Sequence, residues 1–144
     1  MTTCVLDASA VLRYTDKEPG YKRVRELFKQ AARGEAELLL SAVNWGEIVG
    51  ALYRRVGPAR GRTIAGSLAA LPMTIVPVDA EQAEAAAIFK YDFKVPYADA
   101  FAGALTLARS VSQQQTTLVT ADFDFKSVPA GTIKIEFLPS KAVT

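Results

Sequence analysis

Thr3-Cys4-Val5-Leu6-Asp7-Ala8-Ser9 opens the chain with a short β-branched and apolar run that stops on a carboxylate and two small residues. A run this short, bounded by a turn former, predicts a buried strand over 3–6. A helix then starts near Asp7-Ala8-Ser9 and reaches Tyr14. Asp7 is thereby placed at the carboxyl end of a strand. Its ordinary use there is as a helix N-cap, but Ser9 can take that use and free Asp7.

The same alternation continues outward. Thr15–Gly20 is a polar turn, and Tyr21–Arg33 carries Val24, Leu27, Phe28 and Ala31 at helical spacing before Gly34. Leu38-Leu39-Leu40 is a second strand, and Ser41-Ala42-Val43-Asn44 opens a helix to about Val56. Gly57-Pro58 breaks it and starts another, to about Leu71. Thr74–Val78 is a third strand, with Pro77 marking its end or an edge. Asp79-Ala80-Glu81-Gln82 has the form of a capping box and opens a helix to about Lys90. After Val95-Pro96, the alanine-rich stretch Tyr97–Ser110 is a further helix. Gln113-Gln114-Gln115 is a short polar loop, Thr117–Thr120 a fourth strand, Ala121–Ser127 a loop and Thr132–Ile135 a fifth strand. Strands that alternate with helices predict one α/β domain over 1–144 with a mainly parallel, five-stranded sheet. Ligands of such sheets bind at the carboxyl ends of the strands.

Composition removes whole classes of chemistry. The chain has no histidine. Histidine-based ribonucleases, Ser-His-Asp hydrolases and histidine-ligated metal sites are therefore excluded. The single cysteine, Cys4, forbids an intramolecular disulfide and reads as a packing residue. No leader-like segment and no spanning apolar run is evident, so a cytoplasmic location with no membrane association is expected. Net charge is only +2. With Asp7, Glu47, Asp99 and Asp122 set aside for one site, however, the 17 Lys and Arg clearly outnumber the remaining acids. A basic body around an acidic hole suits a protein that handles phosphates.

The carboxylates are the chemical signal. Asp7 follows the first strand. Glu47 lies on a helix that is apolar on most sides, so it is expected to be buried and to need a partner, either Arg54 or a metal site. Asp99 is the one acid between Val95 and Ser110, in the first turn of a helix that belongs in a core. The helix dipole alone would also favour it there. Asp122 and Asp124 follow the fourth strand. Acids clustered this way repel and need cations; Mg2+ or Mn2+ suits a carboxylate-and-water shell and activates water without histidine.

Four stretches resemble one known family. Val5-Leu6-Asp7-Ala8-Ser9 is similar to the opening strand of PIN-domain nucleases. Ser41-Ala42-Val43-Asn44-Trp45-Gly46-Glu47, Pro96-Tyr97-Ala98-Asp99-Ala100-Phe101 and Thr120-Ala121-Asp122-Phe123-Asp124-Phe125 resemble its next three motifs, in order. The nearest subfamily is the VapC-type toxins of toxin–antitoxin pairs. The resemblance implies a three-layer α/β/α PIN-like fold and a Mg2+-dependent endoribonuclease, usually a homodimer held inactive by a small antitoxin. It implies Asp7 and Asp99 as main metal ligands, Glu47 and Asp122 completing the site, Ser9 and Thr120 as hydrogen-bonding supports, and Asp124 as a further ligand. The family often has glycine where this chain has Ala121 and a small residue where it has Phe123.

Arg54 and Arg55, beside Arg60 and Arg62, are the proposed RNA contacts, with Arg13, Lys94 and Lys126 near motif ends and Tyr97 as a stacking candidate. The helices around 52–71 and 97–107 are the candidate dimer surfaces. A haloacid-dehalogenase-like phosphatase would need an acid where Ser9 stands, and a receiver-like domain would need paired acids near the first strand. An RNA-processing nuclease outside a toxin system, or a non-catalytic PIN-fold interaction module, remain as rivals.

Overall fold

The computed structural model describes residues 1–112 and 115–141, so Gln113 and Gln114 of the polar loop lie outside the described residues. β1 (Thr2–Leu6) runs into α1 (Ala8–Asp16), and α2 (Tyr21–Ala32) returns the chain to β2 (Ala36–Ser41). The long α3 (Ala42–Ala69) leads to β3 (Thr74–Val76). α4 (Ala80–Phe93) and α5 (Tyr97–Ser112) then precede β4 (Thr116–Thr120), a 3-10 turn (Phe123–Ser127) and β5 (Lys134–Phe137).

The strands pair in the order β3-β2-β1-β4-β5, and every pairing is parallel. Side chains alternate across the pleat and serve two cores. Cys4, Leu6, Leu38, Leu40 and Val119 pack on α1, α2 and α3 through Val11, Leu27, Ile48 and Leu68. Val5, Leu39 and Leu118 face the other way, onto Phe89, Ala100 and Phe101 of α4 and α5. The result is the expected α/β/α sandwich with a five-stranded parallel sheet.

The chain leaves β1 in one direction, to β2 and β3, and later returns to the other side of β1 as β4. Strand order therefore reverses between β1 and β4, and their carboxyl ends frame a crevice. Asp7 and Asp122 stand just past those two ends.

The local signals hold with specific differences. Gly57 (φ 82°, ψ 170°) interrupts α3, and Pro58 restarts the helix. The capping box is formed, with Asp79 Oδ1 accepting from the Gln82 N–H at 2.9 Å. β3 is an edge strand and ends before Pro77, which has no N–H for the ladder. β5 starts two residues later than expected, because the Thr132 N–H turns back to the Pro129 carbonyl beside Gly131 at φ 92°. The segment after β4 is not a plain loop: Asp122 caps a short 3-10 turn. Cys4 is buried, and burial pushes its thiol pKa up, as a packing role requires.

α4 and α5 cross closely at Gly103, where a Cβ would sit 2.4 Å from the Phe89 ring. Gly103→Ala is therefore expected to destabilise the protein by about 1–3 kcal/mol despite the better helix propensity of alanine, read as a fall in the urea midpoint.

Candidate metal centre

Asp7 is 2% exposed and serves as the N-cap of α1. Its Oδ1 accepts from the Ala10 N–H at 3.0 Å and from the Ser9 hydroxyl at 2.7 Å. Its Oδ2 accepts from the Thr120 hydroxyl. This corrects the expectation that Ser9 caps α1. Capping and site support are instead combined: Asp7 caps, and Ser9 Oγ accepts from the Ala121 N–H at 2.8 Å. A carboxylate offers about four lone-pair directions. Three are filled at Asp7, which leaves one open, and Asp7 stands outside the group of acids whose oxygens approach one another most closely.

Thr120 joins the two strand ends. Its hydroxyl donates to Asp7 and accepts from the Asp122 N–H at 2.9 Å. Asp122 Oδ1 accepts from the Asp124 N–H at 2.9 Å, and this capping bond sets the loop. Among the described residues, the non-glycine positions with positive φ are Lys17 and Lys94. Ala121 and Phe123 therefore occupy ordinary backbone, and no glycine is needed here. Phe123 packs on Phe137 with ring centroids 5.7 Å apart, beneath the Lys126 ammonium.

Asp99 lies in the first turn of α5 and is 9% exposed. Side-chain oxygens of Asp99, Asp122 and Asp124 all fall within 4.8 Å of one another. Asp99 shares a hydrogen bond with Asp122, while its Oδ2 is buried without any partner. A buried acceptor with nothing to accept costs about 1–3 kcal/mol, and a cation or its water is the natural partner. Burial, the bond to Asp122 and the charges of Asp122, Asp7 and Glu47 push the Asp99 carboxyl well above the usual carboxylate range. Burial raises Asp7 to about 6 against the lowering effect of its three donors.

Glu47 departs from expectation. It is exposed rather than buried, because α3 presents Gly46 and Glu47 at the rim of the crevice. Among the described residues it is not ion-paired with Arg54. Its donor is the amide of Asn44, at 2.9 Å, and the same Nδ2 reaches the Ala98 carbonyl at 3.1 Å. Both partners are acceptors, which fixes the amide's orientation. Asn44 Oδ1 is then left buried and unpartnered, the second such atom at this site. Asn44 is the residue that sequence reasoning overlooked. Its signal was a fully polar side chain one turn before Glu47 on an otherwise apolar helix.

Arg55 lines a groove of 300 Å3 with Ser9, Ala121 and Asp122, and is paired with Asp16 at 2.5 Å. Arg54 is exposed. Tyr97 is half exposed and edges onto Phe101 at 4.9 Å. Among the described residues, no helix is long and apolar enough to cross a membrane.

An acidic, oxygen-only cluster thus stands at the switch point of a parallel sheet, a donor set of the kind that suits hard cations. Residues 4–131 match the family model described as PIN domain, and the chain belongs to the PIN-domain family. No curated protein matches. Solved structures share the fold. Rickettsia felis VapBC2, bound to a DNA fragment from its promoter, aligns with TM-score 0.71 at 14% identity over 96% of this chain and 100% of that one. DNA-bound VapBC of Salmonella typhimurium gives 0.70 at 15% identity over 95% and 98%. Mycobacterium tuberculosis VapC20, a Sarcin-Ricin loop cleaving toxin, gives 0.66 at 20% identity over 94% and 99%.

The raised carboxyls fix the sign of a pH effect. A carboxyl whose folded pKa exceeds its unfolded value stabilises the fold below the unfolded pKa, and that stability is lost as pH rises through the folded one. For Asp7 the window runs from the ordinary 3.8 to about 6, and for Asp99 it extends higher. The metal-free protein should lose about 1–3 kcal/mol between pH 5 and 8, read by thermal melts. Asp99→Asn should flatten that loss and raise the Tm at pH 8 in EDTA.

Proposed function

We propose that the chain is a Mg2+-dependent endoribonuclease and the toxin of a VapBC-type toxin–antitoxin pair. The convergence of Asp99, Asp122 and Asp124 around a buried, unpartnered carboxylate oxygen carries this reading. Asp7, Asp99, Glu47, Asp122 and Asp124 are the proposed metal-binding residues, with Glu47 and Asp122 completing the site directly or through water. Asp7, Glu47, Asp99 and Asp122 are the proposed catalytic acids. Bound there, Mg2+, or Mn2+ in its place, supplies positive charge at the scissile phosphate and a water of lowered pKa.

The chain's own residues do the positioning. Ser9 and Thr120 hold Asp7 from both oxygens, so the carboxylate keeps one orientation. Thr120 simultaneously anchors the backbone of Asp122. Asn44 ties Glu47 on α3 to the peptide that precedes Asp99 on α5 through one amide nitrogen. Arg54 is a proposed phosphate contact at the rim, and Arg55, which borders the groove beside Asp122, joins it by exchanging its surface pair with Asp16 for phosphate.

The structural likeness to VapC20, which cleaves the Sarcin-Ricin loop, supports an RNA substrate. The likeness to VapBC structures from two organisms supports a small antitoxin as partner. A homodimer and a cytoplasmic place of action belong to the same proposal. A non-catalytic interaction module has no need for acids gathered at a destabilising cost, and an RNA-processing role would keep the same chemistry without the antitoxin.

The test is cleavage of a mixed RNA pool by antitoxin-free protein, with Mg2+, with EDTA, and with Asp99→Asn. Cleavage should require the metal and should fall by about 10²–10³ or more in the variant. Full activity of Asp99→Asn would sink the site. Absence of both cleavage and calorimetric Mg2+ binding in the wild type would sink the nuclease.

Asn44→Ala is expected to weaken Mg2+ binding about 10-fold, measured by titration calorimetry, with helix content by circular dichroism unchanged. Unaltered affinity would reduce Asn44 to a structural tie.

A further inference from the structure

Two grooves flank the acidic cluster, and their cations are treated differently. In the groove beside Asp122 every cation is already engaged. Arg55 pairs with Asp16, Lys141 pairs with Glu18 at 2.8 Å, and the buried Arg13 donates to the carbonyls of Pro19 and Pro139. The second groove, of 660 Å3, ends on Asp124 and is lined by Ala87, Lys90, Tyr91, Lys94, Val95 and Pro96. Among the described residues, neither Lys90 nor Lys94 is ion-paired. Tyr91 is 85% exposed, the most exposed large apolar side chain among those described, and its ring contacts no other ring there.

Ala87, Lys90 and Tyr91 follow the spacing i, i+3, i+4 and share one stripe of α4, while Lys94, the helix's C-cap in the left-handed region at φ 59°, lines the same groove just past its end. Ala86 and Phe89 take the opposite side into the core. The helix dipole accounts for Lys90 in the last turn and Lys94 at the C-cap. It does not account for a bare tyrosine between them, nor for a groove that ends on a carboxylate of the cluster. An aromatic face between two unengaged ammonium groups is the recognition pattern of single-stranded nucleic acid, where bases stack and phosphates find cations.

We infer that Lys90, Tyr91 and Lys94 form a nucleotide subsite beside the acidic cluster, with Tyr91 stacking a base and the two lysines holding the adjoining phosphates. It rests on the nuclease reading above and adds the path of the strand: away from the cluster along α4. Stacking is tolerant of base identity. This subsite therefore contributes affinity and register rather than sequence choice.

The test measures binding and cleavage separately. A short fluorescein-labelled single-stranded RNA of mixed sequence is titrated by anisotropy in the Asp99→Asn background, and cleaved by chains that retain Asp99. Tyr91→Ala should weaken binding and raise KM about 5- to 100-fold with kcat within about twofold, and Tyr91→Trp should restore both. Lys90→Ala with Lys94→Ala should flatten the slope of log affinity against log salt by about 1.4, the value for two phosphate contacts on a single strand. Wild-type-like binding and KM in Tyr91→Ala, or failure of Tyr91→Trp to restore them, overturns the subsite. So does normal RNA binding in variants that instead lose self-association by light scattering, which would make the stripe a protein interface. RNA that is bound through these residues but never cut sinks the nuclease reading and leaves the subsite standing.

Discussion

One hydroxyl holds the centre of this molecule together. Thr120 Oγ1 donates to Asp7 and accepts from the Asp122 backbone, so the ends of the two central strands share a single hydrogen-bonding atom. The sheet order makes this possible. β1 and β4 are neighbours in space but far apart in sequence, and the helices that pack beside them lie on opposite faces. A crevice must open where they part, and the residues just past the two strands must line it. The position of the acids is thus a consequence of topology before it is one of chemistry.

The architecture was legible because each local signal agreed with the global one. The apolar runs at Val5, Leu39 and Leu118 are continuous rather than alternating, which is how strands covered on both faces read. Gly57-Pro58 and Asp79–Gln82 mark helix boundaries through backbone chemistry that tertiary packing does not override. The errors fall where packing decides. β5 is an edge strand with weak local signal, and its register is set by the turn at Gly131 and the pairing of Thr117 with Lys134.

At the site, legibility depended on how much of a residue's role is local. Asp99 stood out because a lone acid in an apolar helix is costly to bury unless something binds it, and burial raises its carboxyl further than that of Asp7. Glu47 was placed correctly on its helix, but its burial was misjudged. Helical periodicity shows which side is apolar and not where the neighbouring layer stops. At Gly46 and Glu47 the covering layer has ended, and the carboxylate reaches the rim. Asn44 went unnoticed for the complementary reason. Its value lies in bridging Glu47 to the Ala98 carbonyl 54 residues away, a contact that no window of sequence contains.

The energetics of the site follow from its donors. Three hydrogen bonds at Asp7 favour the ionised form, yet burial outweighs them. Asp99 has fewer donors and more neighbouring charge, so it holds its proton longer. The two acids therefore differ: burial raises Asp7 to about 6, and burial together with the neighbouring acids holds the Asp99 carboxyl higher still. A fold that keeps such acids together in the absence of metal gives up stability to do so, which is the usual trade at a preorganised site. Here the loss is confined to a crevice whose walls are two strands from the middle of the sheet, where the surrounding core is best able to bear it.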